Sequence, residues 1–271
     1  MKKLIYLLCL TMVICFTACN DEEEKIPSVK PSNTGTMTDK DGNEYHWVRL
    51  GNLDWMAENM KGGKPFYEYT YWYLGYYEYA TVKFSMVDDR YEYWNTFGNV
   101  YTFDQALENC PDGWRLPTDD DWKNLESALG MNNKELDKLG WRKGAGLLMT
   151  QTLEQGTGLK LLFGGQMGFS PTQNIYNIND ESVTPMGIKE YGMYWSATID
   201  KTYDMECVFC RRIMPNLNEV ERTSSTTQSR WLSVRYVRDA KEELRNFSRW
   251  RSATDMHSSI FCVLQESVSL P

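Results

Sequence analysis

The sequence predicts an α+β fold, with two main helices packed on twisted, mostly antiparallel sheets. Three observations predict it. Period-two apolar patterns open the region between residues 41 and 239 and dominate its second half. Two segments with helical apolar spacing, at 102–110 and 118–130, lie between them. The order is therefore strands, helices, strands, without the strand–helix alternation that builds a parallel sheet.

The elements follow in chain order. Lys2 and Lys3 precede an apolar run from Leu4 to Phe16, too short for a mature transmembrane helix. The run ends in "FTAC" (Phe16 to Cys19), which resembles a bacterial lipobox. Residues 1–18 are expected to be removed as a signal and Cys19 to carry lipid; an ordinary secretory signal cut elsewhere is the alternative. "NDEEEK" (Asn20 to Lys25) resembles the surface-export signal of Bacteroidetes lipoproteins and also reads as a solvated acidic tether. Residues 26–40, rich in Pro, Ser, Thr and Gly, read as a flexible linker, so that 19–40 together form a tether. Residues 41–240 are long enough for one domain with its own core.

Within that domain, 44–60 reads as two short strands about a Gly51-Asn52 turn, with His46, Val48 and Leu50 alternating with Tyr45, Trp47 and Arg49. Residues 66–97 hold 14 Phe, Tyr or Trp in 32 positions, which favours extended structure or ordered loop. In 102–110, Phe103, Ala106, Leu107 and Cys110 fall on one helical stripe, and Pro111, Asp112 and Gly113 stop the helix. Thr118 is an N-cap for the second helix, and Asp119, Asp120 and Asp121 complement its dipole. Trp122, Leu125 and Leu129 form its apolar face, and a short third helix is expected over Asn133–Gly140. Strands are expected at 158–165, 193–198, 206–213, 219–224 and 231–239, the last with Leu232, Val234 and Tyr236 opposite Ser233 and Arg235. Residues 241–271, with six serines and no clear period, read as a tail outside the core.

Five motifs, "LGNLDWMAENM", "FGNVYTFDQA", "CPDGWRLPTDDDW", "GMYWSAT" and "WLSVRYVRD", together resemble the Fibrobacter succinogenes major paralogous domain over about residues 41–239. The resemblance implies a C-type lectin-like or formylglycine-generating-enzyme-like fold in a secreted or surface lipoprotein, with no assigned molecular function. It also implies structural roles for Cys110, Trp114, Trp122, Trp195 and Tyr236. In the family pattern a cysteine stands where this chain has Tyr236, and the resemblance implies that it pairs with the cysteine at 110. Cys110 is therefore expected to be buried, unpaired with residue 236 and covered by the Tyr236 ring, with Cys207 and Cys210 as alternative partners.

Composition excludes some chemistries. The net charge of −8, about −10 once Lys2 and Lys3 are removed, argues against nucleic acid and anionic lipid headgroups. The two histidines, His46 and His257, support neither a His-based triad nor a zinc site, and no cofactor or metal is expected. "CVFC" (Cys207 to Cys210) sits in a strand-like run, where i and i+3 point to opposite faces. The Glu-Pro-Asn and Trp-Asn-Asp motifs of calcium-dependent lectins are absent.

The aromatic stretch is the positive signal. Its rings either pack the core or offer stacking surface, and Tyr71, Trp72 and Tyr76 are the candidate ligand contacts. Three functions remain in competition: a non-catalytic module, expected to act as a monomer at the outer membrane, facing the exterior and binding a glycan, surface polymer or partner protein; an enzyme of the formylglycine-generating type; and an adhesin or fimbria-associated subunit.

Overall fold

The structure is a computed structural model that describes residues 26–66, 70–72, 79–82, 89–169, 182–227 and 230–240. In chain order its elements begin with β1 (Thr34–Thr38), β2 (Glu44–Leu50), β3 (Leu53–Met56), β4 (Thr70–Trp72) and β5 (Tyr79–Val82). Helices α1 (Asp89–Phe97), α2 (Phe103–Glu108), α3 (Asp119–Ala128) and α4 (Asn133–Leu136) follow. Then come β6 (Gly140–Lys143), α5 (Gly146–Met149), β7 (Gln166–Phe169), β8 (Ser182–Met186) and β9 (Gly192–Asp200). The last are β10 (Cys207–Ile213), β11 (Glu219–Thr226), β12 (Arg230–Trp231) and β13 (Val237–Asp239).

These form three sheets. The first has the order β1-β2-β3-β13, the second β6-β11-β10-β9, and both are antiparallel. The third, β12-β7-β8-β5-β4, contains one parallel pair, β5 with β8. The architecture is thus mixed α and β with mostly antiparallel sheets.

Local chemistry explains the helix starts. Thr102 caps α2 and Thr118 caps α3, each in a reciprocal capping box, with Gln105 and Asp121 as the returning side chains. Asp119–Asp121 place three acidic residues in the first turn of α3. The turn between β2 and β3 uses Gly51 at φ 64°, a left-handed conformation that glycine adopts without a Cβ clash.

Each longer helix buries one face in its own cluster. From α3 and its C-cap, Trp122, Leu125 and Leu129 meet Val48, Leu50 and Trp55, with the Trp55 and Trp122 ring centroids 4.8 Å apart. From α2, Phe103 and Ala106 meet Trp195, Leu232, Val234 and Tyr236. From α1, Tyr93 and Phe97 meet Phe66, Met167 and Trp231. Full burial of such side chains stabilises by about 1.5–3 kcal/mol each.

Five expectations are corrected. Residues 34–38, expected in the linker, form β1, because pairing with β2 satisfies their backbone and Gly35 lies flush under the Trp47 indole. The aromatic stretch contains α1 as well as the short strands β4 and β5, since Tyr93 and Phe97 share an i, i+4 face. The strand expected at 158–165 is irregular apart from a bridge at Gly165, because Gly158, Lys160 and Gly165 are left-handed at φ 71°, 47° and 70°. The strand expected at 231–239 is interrupted between β12 and β13. Leu232, Val234 and Tyr236 are buried there, but so are Ser233 and Arg235, because neighbours cover both sides of the segment. The third helix is four residues long and ends at Leu136.

Candidate functional site

Most motif residues lie in the interior and hydrogen-bond to one another's backbones. The Trp122 indole donates to the Trp195 carbonyl (3.3 Å), and the Trp195 indole donates to Tyr101 (2.8 Å). The Tyr236 hydroxyl donates to the Ala106 carbonyl (2.5 Å). Trp122, Trp195 and Tyr236 have no exposed surface. Trp114 is partly buried, and the Arg238 guanidinium lies between it and Trp47, 4.7 and 4.8 Å from the two ring centroids.

Cys110 is half-buried rather than buried, because it follows α2 at the edge of a surface cleft that Trp114 and Arg238 also line. It is a free thiol that packs against the cluster containing Tyr236, and its Sγ donates to the Trp114 carbonyl at 3.2 Å. Burial, with Asp112 adding to it, pushes this thiol up to about 11. Cys207 and Cys210 are also free and buried. Burial raises both, with Asp200 adding to the shift at Cys207. All three would be thiols rather than thiolates at neutral pH.

An ion network beneath α3 was missing from the sequence reading, which assigned Asp119 to helix capping. Asp121 makes the cap and pairs with Arg115. Asp119 instead faces inward and accepts from Arg211 (2.8 Å) and Arg222 (2.7 Å). Glu126, two turns on and on the same face, accepts from Arg142 (2.7 Å) and Arg211 (2.6 Å). All five side chains are buried. Carbonyls of Leu136, Asp119 and Asp137 take further arginine donors. Burial opposes ionisation of Asp119, but the bonds from Arg222 and Arg211 outweigh it and hold the carboxyl below its ordinary range. The seven-residue spacing of the two acids was the available signal.

Arg235 forms a second buried polar centre. Its donors reach Asn59 Oδ1 (2.6 Å) and the carbonyls of Met56, Leu159 and Lys160 (2.8, 2.8 and 2.7 Å). It therefore joins the "WMAEN" motif to the "SVRYVRD" motif and fixes the irregular 159–160 backbone. Burial lowers its pKa, although guanidinium remains charged at neutral pH.

That fixed backbone borders a surface groove. A cleft of about 600 Å³ lies between β1, β2 and residues 152–160, with Trp47 and Val48 in its wall and Thr36, His46, Glu58 and Lys160 among its polar lining. A smaller cavity of about 180 Å³ continues toward α1, lined by Lys61, Asn95 and Thr96. The two share Ala57, Glu58 and Lys160. The Glu58 carboxylate accepts from the His46 backbone N–H (2.8 Å) and meets its ring nitrogen at 3.0 Å. On α1, the Tyr91 and Trp94 rings are 6.4 Å apart and nearly parallel, and Lys61 lies over Trp94 at 5.3 Å.

Tyr71 and Trp72 lie on β4, while Tyr76 and Cys19 fall outside the described residues, as does the tail 241–271. The groove is thus built from residues that the sequence reading did not select. Trp47, Glu58 and Lys160 lie far apart in the chain and form no compact motif.

The described helices include none long and apolar enough to cross a membrane. No curated protein and no solved structure matches the chain. The family model of the Fibrobacter succinogenes major domain does match, over residues 48–238, well over half of the chain and a span that contains every buried residue of the three core clusters except Tyr45. The chain belongs to the Fibrobacter succinogenes major domain family.

Proposed function

We propose that this is a non-catalytic binding lipoprotein, anchored at the outer membrane through Cys19, that recognises a glycan or related surface polymer. The observation that carries the reading is the groove between β1, β2 and residues 152–160, where an apolar wall meets a rim of hydroxyls, carboxylates and a lysine. Such a mixture suits a polymer with both C–H faces and polar groups. The C-type lectin-like architecture is the fold proposal. It is supported by β13 closing the sheet that β1 opens, with α2 and α3 packed beside the antiparallel sheets.

Two features weigh against the rival readings. The thiols needed by a formylglycine-generating type of enzyme are raised by burial. The edge strand β1, where a neighbour's strand would add, already has its Thr34 N–H bonded by Asn33 Oδ1 and its Thr36 carbonyl bonded by the Trp47 indole.

The test is a glycan array probed with the full-length protein in detergent, beside Thr36→Trp, which fills the groove mouth. Retention of one saccharide class by the native chain and its loss in the filled variant are expected. Equal retention by both proteins would remove the groove from the account.

A further inference from the structure

The groove contains a cation held where a lysine is costly. Lys160 has φ 47°, the left-handed region that disfavours residues with a Cβ. Two backbone bonds hold it there: its N–H donates to Gln151 (3.0 Å), and its carbonyl accepts from the fully buried Arg235 (2.7 Å). Glycine would fill this position with less strain, as Gly158 does two residues earlier at φ 71°. The side chain is exposed, and it lines both cavities of the groove.

The charges around it are largely committed. Glu58, which also lines both cavities, is engaged by the His46 backbone and ring. Lys61 is bonded to the Asn95 carbonyl at 3.1 Å and lies over Trp94. Glu154 lines only the wider cleft. Among the described residues the Lys160 ammonium has no carboxylate partner. It is a strongly hydrated point charge at the junction of two cavities, without an ion pair to any described residue. Beyond the narrower cavity, Tyr91, 61 % exposed, and Trp94 supply ring surface on α1.

We infer that the groove takes an acidic saccharide, with the Lys160 ammonium anchoring a carboxylate or sulfate on one ring at the midpoint of the site. This rests on the proposed groove and names its ligand class. Apolar walls and the α1 rings contact C–H faces, hydroxyls of Thr34, Thr36 and Thr152 meet the sugar hydroxyls, and Lys160 selects the charged ring. The chain's net charge of −8 repels polyanions at long range, so discrimination arises from this local contact.

The experiment measures binding of the full-length protein in detergent micelles to three oligosaccharides by calorimetry. They are a galacturonic-acid hexamer, the same hexamer fully methyl-esterified, and a sulfated galactan hexamer. At least one charged oligosaccharide should bind about ten-fold more tightly than the ester, the scale of one charge-assisted hydrogen bond. That gap should shrink with added salt and vanish in Lys160→Gln. The carboxylate and sulfate arms identify the anion. Lys160→Gly should lose the same selectivity while melting at a higher temperature, because the left-handed strain is relieved; this separates lost binding from lost folding. If charged and esterified forms bind alike, or the gap persists in Lys160→Gln, the lysine assignment is overturned while the groove stands. If the native chain binds none of the three, the assignment to an acidic saccharide falls, and the glycan array then decides whether the groove reading falls with it.

Discussion

The Tyr236 hydroxyl donates to the carbonyl of Ala106 at 2.5 Å, tying the buried segment before β13 to the helix that precedes Cys110. The family pattern implies a cysteine at 236, and this chain has a buried ring with one directed bond in its place. Tyr236→Phe should cost about 0.5–1.5 kcal/mol in urea unfolding, the net worth of one hydrogen bond. Tyr236→Cys removes the ring and places a thiol beside the cluster against which Cys110 packs. Mass spectrometry of unreduced peptides should detect a 110–236 bridge under oxidising conditions; two free thiols there would overturn the pairing that the resemblance implies.

The network beneath α3 should govern acid stability. The Asp119 carboxyl is held below its value of about 3.9 in an unfolded chain. Its contribution is therefore complete above about pH 5 and is lost as pH falls through the unfolded and then the folded value. Stability measured by urea between pH 7 and pH 3 should fall, and Asp119→Asn should be less stable at neutral pH and flatter with pH. An unchanged slope in Asp119→Asn would assign the acid sensitivity elsewhere.

Removing the other acid should be severe. Glu126→Gln leaves Arg142 and Arg211 buried with only one formal carboxylate, Asp119, nearby, and a cost of about 3–5 kcal/mol is expected from equilibrium unfolding. A loss below about 1 kcal/mol would mean that Asp119, the backbone carbonyls and the neutral amide satisfy the guanidinium groups without the Glu126 charge.

Gly35 is expected to guard the edge of the first sheet. A Cβ at that position would run into the Trp47 indole, whose N–H covers the Thr36 carbonyl. Gly35→Val should cost about 1–3 kcal/mol and uncover the β1 edge. Size-exclusion chromatography should then show more association than the native chain shows; a variant of native elution and native stability would contradict the role.

Anchoring has its own test. Cys19→Ala should release the protein from the outer-membrane fraction, as read by immunoblotting, and globomycin should leave the uncleaved precursor in native cells. Unchanged membrane recovery of the variant would exclude lipid on Cys19 as the anchor.

Local chemistry was legible in the sequence wherever neighbours along the chain create it. Thr118 and Asp121 are three residues apart, so their capping box could be read directly, as could the apolar stripe of α3 and the Gly51 turn. The interleaved motifs also identified the family. Long-range placement decided the rest. Asp119 is a plausible cap until Arg211 and Arg222 reach it from two strands, and Gly35 belongs to a linker until Trp47 covers it. Residues 158–165 are apolar enough to read as a strand, but Arg235 binds two of their carbonyls and settles them as an irregular wall. The groove depended on the same long-range contacts. Its residues come from separate segments, and a lone lysine becomes distinctive only when tertiary hydrogen bonds hold its backbone left-handed at the junction of two cavities. Periodicity records which face of an element is apolar; only packing decides which buried charges meet and which remain unpaired.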